Sequence, residues 1–198
     1  MYASTYSLAG PVLSRMGCNF AKSLQSPVRS PISAYAAYAC TDERPAMNTW
    51  RPDPHIKVKA LGLHWRHGRL LAAEVLNDKG QVKGVRPLGG GMEFGERWQD
   101  TLTREFQEEL GIAVQILGEP CIMENIYVHE GAPGHEVIFI SEVAFPPDAF
   151  AGQDSIRFFE NNGAACVARW YDLAQLDIEG SPELYPSGLK QLLLKDGA

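Results

Sequence analysis

An α/β fold is the class that this 198-residue chain predicts, and three observations predict it. Runs of alternating apolar and polar residues, punctuated by Gly, Pro and Asn-Asp turns, recur from Ile56 to Tyr171, which is the period of strands. One segment between them, Arg97 to Leu110, carries Trp98, Leu102, Phe106 and Leu110 at intervals of four, which is the stripe of a helix packed on a sheet. A second helical pattern closes the chain, where Leu184 to Leu194 carries Leu189, Leu192 and Leu193.

The segment before about residue 48 differs from the rest. It is rich in Ser, Ala, Tyr and Pro and has no acidic residue before Asp42. Residues 1–47 therefore read as a disordered extension. Arg15, Lys22 and Arg29 among serines resemble an organelle transit peptide, but no apolar h-region of a secretory signal follows. The extension reading is preferred over targeting, and residues 48–198 read as one domain.

From Ile56 the alternation Val58, Ala60, Leu61, Leu63 predicts a strand that turns at His67-Gly68 and returns through Leu70, Leu71, Ala73 and Val75 as a hairpin. Asn77-Asp78-Lys79-Gly80 predicts a second turn before a short strand through Val82 and Val85. Pro87 ends that strand and leads into Gly89-Gly90-Gly91, a loop whose bare backbone can approach a ligand closely. The helix follows, with Gly111 placed to cap its end in the left-handed conformation. Beyond it, Val114 to Leu117, Ile122 to Val128 and Val137 to Phe145 read as strands, with a turn at Gly131 to Gly134. Asp148 to Gly163 is the least regular stretch, and Cys166 to Tyr171 reads as a last strand.

Composition narrows the function classes. A hydrophobic share of 45% with 21% charged residues is that of a soluble globular domain. The net charge of -6 argues against a protein that holds DNA or a membrane surface by its charge. No apolar run approaches the roughly 20 residues that cross a bilayer. The four cysteines, Cys18, Cys40, Cys121 and Cys166, contain no C-x-x-C pair. This argues against structural zinc and fits free thiols in a reducing, cytoplasmic setting, with Cys121 and Cys166 as small core residues.

The chemistry concentrates in Gly90 to Ile112. Glu105, Glu108 and Glu109 stand at i, i+3 and i+4, so the helix gathers three like charges on one face, a repulsion of roughly 0.2 to 0.5 kcal/mol per exposed pair. A cation among them would relieve it. Hard carboxylate oxygens, with a glycine carbonyl at Gly90 in reach, suit Mg²⁺, with Mn²⁺ as the alternative, and Mg²⁺ is commonly shared between one or two carboxylates and substrate phosphates. Trp98 and Phe106 lie on the apolar stripe and read as core. His64, His129 and His135 read as surface or hydrogen-bonded histidines, since none has partners at ligand spacing. Arg86 is placed either to touch a phosphate or to face solvent on an edge strand.

The spacing G-x5-E-x7-R-E-U-x-E-E-x-G-U, with U apolar, is filled by Gly90, Glu96, Arg104, Glu105, Phe106, Glu108, Glu109, Gly111 and Ile112. It resembles the Nudix box at every defined position. The resemblance implies a Nudix-type α/β/α sandwich with a mixed central sheet, in which Glu105, Glu108 and Glu109 supply metal ligands and in which, in some members, the glutamate matching Glu105 also helps deprotonate water. It implies that Arg104 orients the acidic cluster and that Glu96 binds metal through water or holds Arg104. A base outside the box is left open between Glu136 and Glu160.

The resemblance also implies Mg²⁺-dependent hydrolysis of a phosphoanhydride in a nucleoside diphosphate linked to another group X. Nucleoside triphosphates and dinucleoside polyphosphates are alternative substrates, Tyr127 lying where some hydrolases of the latter carry a tyrosine. A nucleotide-sensing module without turnover is a rival of another class. Recognition of the base and X falls to Trp65, Tyr127, His135 and the 148–163 stretch. The expected partner is a small nucleotide, with homodimerisation left open.

Overall fold

The computed structural model describes residues 50–160 and 163–196. The expected N-terminal extension and its boundary near residue 48 lie outside the described residues, as do Cys18 and Cys40. Eleven strands, two α-helices and a 3-10 helix at Leu173–Gln175 make up the described chain, the strands and α-helices in the order β1 (Ile56–Leu63), β2 (Trp65–Arg66), β3 (Arg69–Leu76), β4 (Val82–Arg86), β5 (Leu88–Gly91), α1 (Trp98–Leu110), β6 (Gln115–Ile116), β7 (Cys121–His129), β8 (Ala132–Ala144), β9 (Ser155–Phe159), β10 (Ala165–Tyr171), β11 (Glu183–Leu184) and α2 (Leu189–Asp196).

The strands form two mixed sheets. One runs β5-β1-β8-β6 with β7 also on β8, and the other runs β11-β4-β3-β10-β9 with β2 on β3. The β1–β8 and β11–β4 pairs are parallel. Side-chain alternation along the strands divides the core into two faces. Ala60, Leu71 and Ala73 join Leu102 and Phe106 of α1, whereas Leu61, Leu70 and Ala72 join Leu189 of α2. A sheet layer therefore lies between the two helices, in agreement with the expected α/β/α arrangement.

Helix α1 forms where the four-residue stripe predicts it. Leu102 and Phe106 are fully buried, with Trp98 and Leu110 packed at the same face. Gly111 ends it at φ 68°, its N–H donating to the Gln107 carbonyl at 3.0 Å.

Several expectations are corrected. The strand from Ile56 does not form the first hairpin; it stops at Leu63 and pairs with β5 and β8. The hairpin is the short β2–β3 pair around His67 and Gly68, both at positive φ. The chain changes sheet at His64, whose Nδ1 lies 3.2 Å from the Val143 carbonyl while its ring stacks on Phe145 at 3.7 Å. Leu88–Gly91, expected as a loop, is a strand in register with Lys59 to Gly62.

The turn expected at 131–134 lies instead at Glu130-Gly131, the two positive-φ residues, and Pro133 and Gly134 belong to β8. The 148–163 stretch contains a strand, β9. Leu184 is in a strand rather than the last helix, which begins only at Leu189. Cys121 is exposed, not core, and Cys166 is half-buried.

Candidate active site

Gly90 and α1 are brought together by one cross-strand step. Ala60 of β1 pairs with Gly90, and a Cβ added at Gly90 would collide with the Glu105 carboxylate. The missing side chain is what lets Glu105, itself buried, lie flat against β5.

The like-charge repulsion on α1 is answered within the chain by Arg104. Its Nε and Nη2 donate to the two oxygens of Glu96 at 2.9 and 3.0 Å, and Nη2 also donates to the Gly91 carbonyl at 2.9 Å. Nη1 donates to Glu105 Oε1 at 2.9 Å and Glu108 Oε2 at 3.1 Å. All five guanidinium N–H groups thereby have acceptors, four of them oxygens of three glutamates. Glu96 is fixed from its other side by Thr101 Oγ1 at 2.7 Å and the Glu93 N–H at 3.0 Å. The Arg104 hydrogen bonds above all hold the Glu96 carboxyl well below the usual range, at about 2.

Glu105 and Glu109 differ from Glu96 in the sign of their shift. Burial raises the Glu105 carboxyl against the pull of Arg104. Burial likewise pushes Glu109 up to about 7, aided by the charges of Glu105 and Glu160 and opposed by Arg86. Glu109 Oε2 is fully buried with no hydrogen-bond partner, a state that strongly disfavours an anion unless a cation supplies the missing contact.

Glu105 and Glu109 line a cleft of about 1100 Å³, together with Gly89, Gly90, Gly91, Arg86, Glu160 and Cys166. Arg86 is no edge-strand solvent residue: β4 lies between β11 and β3, and the guanidinium donates to the Gly89 carbonyl at 3.0 Å and Glu160 Oε1 at 2.8 Å. The same cleft is lined by a polar network around buried Glu136. Lys59 Nζ pairs with it at 2.6 Å, the Tyr127 hydroxyl donates to it at 3.1 Å, and Asn125 Nδ2 donates at 3.4 Å. Tyr127 lies flat across Gly134, its cross-strand partner, where a Cβ would strike the ring.

The expected residues thus fall into three groups. Gly90, Glu105, Glu109, Arg86, Glu160, Tyr127 and Glu136 meet in the cleft. Arg104, Glu96 and Glu108 form the clamp behind it. His135 is corrected: it stands on the other face of β8 from Glu136, 3.1 Å from exposed Glu124, and is absent from the cleft's described lining. Trp65 is likewise placed elsewhere, against the core on the α2 side.

The sequence reading passes over Lys59, Asn125 and Trp50, all in the cleft, and places His129, which also lines it, among surface or hydrogen-bonded histidines. One signal for Lys59 was present. Lys57 and Lys59 continue at period two into buried Leu61 and Leu63, so a charged residue occupies an inward position.

The donor set fits a hard divalent cation. Glu105, Glu108, Glu109 and the Gly90 carbonyl offer only oxygens, and the partnerless Glu109 oxygen is the one that most requires a ligand. Among the described residues no three His, Cys, Asp or Glu side chains form a ready cage.

A family model described as NUDIX domain matches residues 54–192. Among solved structures, the chain is similar to the E. coli ORF135 protein, at 21% identity over 72% of this chain and 91% of that one, with a TM-score of 0.48. It is also similar to a MutT NUDIX hydrolase from Burkholderia pseudomallei, at 21% identity, covering 69% of this chain and 95% of that one with a TM-score of 0.46. A UDP-X diphosphatase aligns at 13% identity over 83% of this chain and 68% of its own, with a TM-score of 0.44. Comparison with curated proteins gave no match.

Proposed function

The chain belongs to the NUDIX domain family, and from that premise we propose that it hydrolyses a phosphoanhydride in a nucleoside diphosphate linked to another group X, with Mg²⁺ or Mn²⁺ as cofactor. The observation that carries the reading is Glu109 Oε2, a buried carboxylate oxygen without a partner, next to Glu105 at the wall of the cleft. Glu105, Glu108, Glu109 and the Gly90 carbonyl would hold the ion. When bound, it supplies positive charge to the diphosphate oxygens and lowers the pKa of a water.

The chain's own residues supply the rest. Arg104 fixes the rotamers of Glu96, Glu105 and Glu108 through four hydrogen bonds, so the carboxylates are positioned before substrate arrives. Glu160 is the favoured acceptor of the water proton. Glu136 is committed to Lys59, Tyr127 and Asn125, whereas Glu160 is placed by Arg86 on the side of Glu109. The water oxygen bonds to one phosphorus, the bridging P–O bond breaks, and the leaving phosphate departs with the bridging oxygen. The products are a nucleoside monophosphate and X-phosphate.

No described helix is long and apolar enough to cross a membrane, and the cytoplasm is the proposed compartment. A panel of nucleoside diphosphate–X compounds, incubated with Mg²⁺ and analysed for products, tests the reading. Release of a nucleoside monophosphate is expected from at least one member. Glu109→Gln should abolish it while leaving the circular dichroism spectrum unchanged.

A further inference from the structure

Helix α1 covers only part of the sheet face on which it packs. Ala60 of β1 and Phe139 of β8 belong to the core beneath it, but the same face continues past the helix, because β1 begins at Ile56 and β8 at Ala132. The register fixes which residues stand there. Val58 is aligned with Val137 and Ile56 with His135, and on the far side of β8 the residues of β7 follow, with Ile122 opposite Phe139, Glu124 opposite Val137, Ile126 opposite His135 and Val128 opposite Pro133. Strand alternation puts all of these on the α1 side and sends Lys59, Tyr127 and Glu136 to the other. Ile56, Val58, Ile122, Ile126 and Val128 are between 38% and 71% exposed. Exposed apolar side chains are ordinary when scattered singly, whereas five β-branched ones gathered on one face of three adjacent strands mark a contact surface.

We propose that this half of the sheet face binds a second copy of the chain, face against face, around a two-fold axis. The charges of the patch select that occupant. It carries one carboxylate and one imidazole, Glu124 and His135, whose Oε1 and Nε2 are 3.1 Å apart. They lie near its middle, with Ile122 and Val128 toward the ends of β7 and Ile56 and Val58 across β8. A two-fold interface requires a patch complementary to itself, and an acceptor beside a donor meets that requirement. With the axis next to the pair, Glu124 of one copy faces the partner's His135, so the carboxylate keeps a hydrogen-bond donor when water leaves. A carboxylate at the centre disfavours an anionic membrane surface. The β-branched residues around it suit the packing of one sheet on another; they supply the affinity and the polar pair the register. Strand β7, which pairs only with β8 among the described residues, also lacks the lysine or proline that commonly keeps an edge strand from associating. The inference goes beyond the hydrolase reading and does not depend on it.

Sedimentation of the full-length protein at concentrations from about 1 to 100 μM tests it. At the upper concentrations wild type should show twice the 21.8 kDa mass of one chain. Ile122→Lys sets an unpaired ammonium within the contact and should weaken association at least about 100-fold, leaving the one-chain mass. Ile56→Lys, on a different strand of the same face, should do likewise and serves if the first variant fails to fold by circular dichroism. Neither residue lines the cleft. Ile178→Lys, at a site 53% exposed and outside the patch, should leave the dimer intact. One-chain mass for wild type at every concentration would overturn the proposal and assign the face to an unlike partner or to none. A dimer that persists in folded Ile122→Lys or Ile56→Lys would put the interface elsewhere and overturn it as well.

Discussion

Arg104 grips both carboxylate oxygens of Glu96, through Nε at 2.9 Å and Nη2 at 3.0 Å, and so joins the end of the glycine-rich segment to the middle of the acidic helix. A lysine cannot reproduce that fork, having one point charge where the guanidinium has a planar array. Arg104→Lys is expected to lower turnover by about 10- to 100-fold, the usual effect of losing a group that orients metal ligands. The midpoint for Mg²⁺ activation should rise with it. Steady-state kinetics over a Mg²⁺ series checks both, and an unchanged midpoint would argue against the clamp.

Gly90 is needed for space. Its backbone is not in the left-handed region, so alanine would be tolerated but for the Glu105 carboxylate lying where the Cβ would go. Gly90→Ala should turn Glu105 away and reduce turnover by about 100-fold, the scale of an ångström-sized misplacement. Restored activity in Gly90→Ala with Glu105→Asp, whose shorter side chain clears the methyl group, would identify the clash as the cause.

The metal-free protein should show the cost of burying Glu109. Its folded-state carboxyl titrates near 7 against an ordinary 4.5, so between those values the folded chain keeps a proton that the unfolded chain has released. Its contribution to stability is full below the lower value and is lost as pH rises toward the upper one. In EDTA the melting temperature should fall across this window in wild type and fall less in Glu109→Gln. At a pH of about 8 the variant should be the more stable of the two. Thermal melts of both proteins across the pH range decide it.

The histidines separate structure from chemistry. His64 stacks on Phe145 and lies 3.2 Å from a backbone carbonyl at the point where the chain changes sheet. His64→Ala should lower stability by about 1 kcal/mol or somewhat more with kcat within a few-fold of wild type. His135→Ala, removing a contact to exposed Glu124, should change neither measurably. A large loss of kcat in either variant would return that histidine to the site.

The box helix was legible because its signals are local. A four-residue stripe, a capping glycine and carboxylates at i, i+3 and i+4 depend on one element only, and the helix ends where Gly111 says it should. Arg104 was legible for the same reason, as Glu108 lies one helical turn beyond it. What the sequence concealed depends on pairings between distant segments. Nothing near Ile56 reveals that its strand leaves the next hairpin to run parallel with β8. Lys59 and Glu136 are 77 positions apart and meet only through that pairing, so their ion pair was invisible until the register was known, although Glu136 and Tyr127 were singled out one by one. Glycine misled in the opposite direction, since bare backbone in a row suggests a loop, whereas Leu88–Gly91 is a strand in which the bare Gly90 makes room for Glu105 of α1.

The central claim is that Glu105 and Glu109 form a site whose cation drives hydrolysis of a nucleotide diphosphate. Its most direct test is turnover of a nucleoside diphosphate–X panel in ¹⁸O-labelled water, by wild type and Glu109→Gln, with and without Mg²⁺. Wild type with Mg²⁺ should release a nucleoside monophosphate and X-phosphate, one of them carrying a single ¹⁸O atom. EDTA or the substitution should stop the reaction. Binding of the panel without cleavage, or cleavage that proceeds equally in Glu109→Gln, would contradict the account.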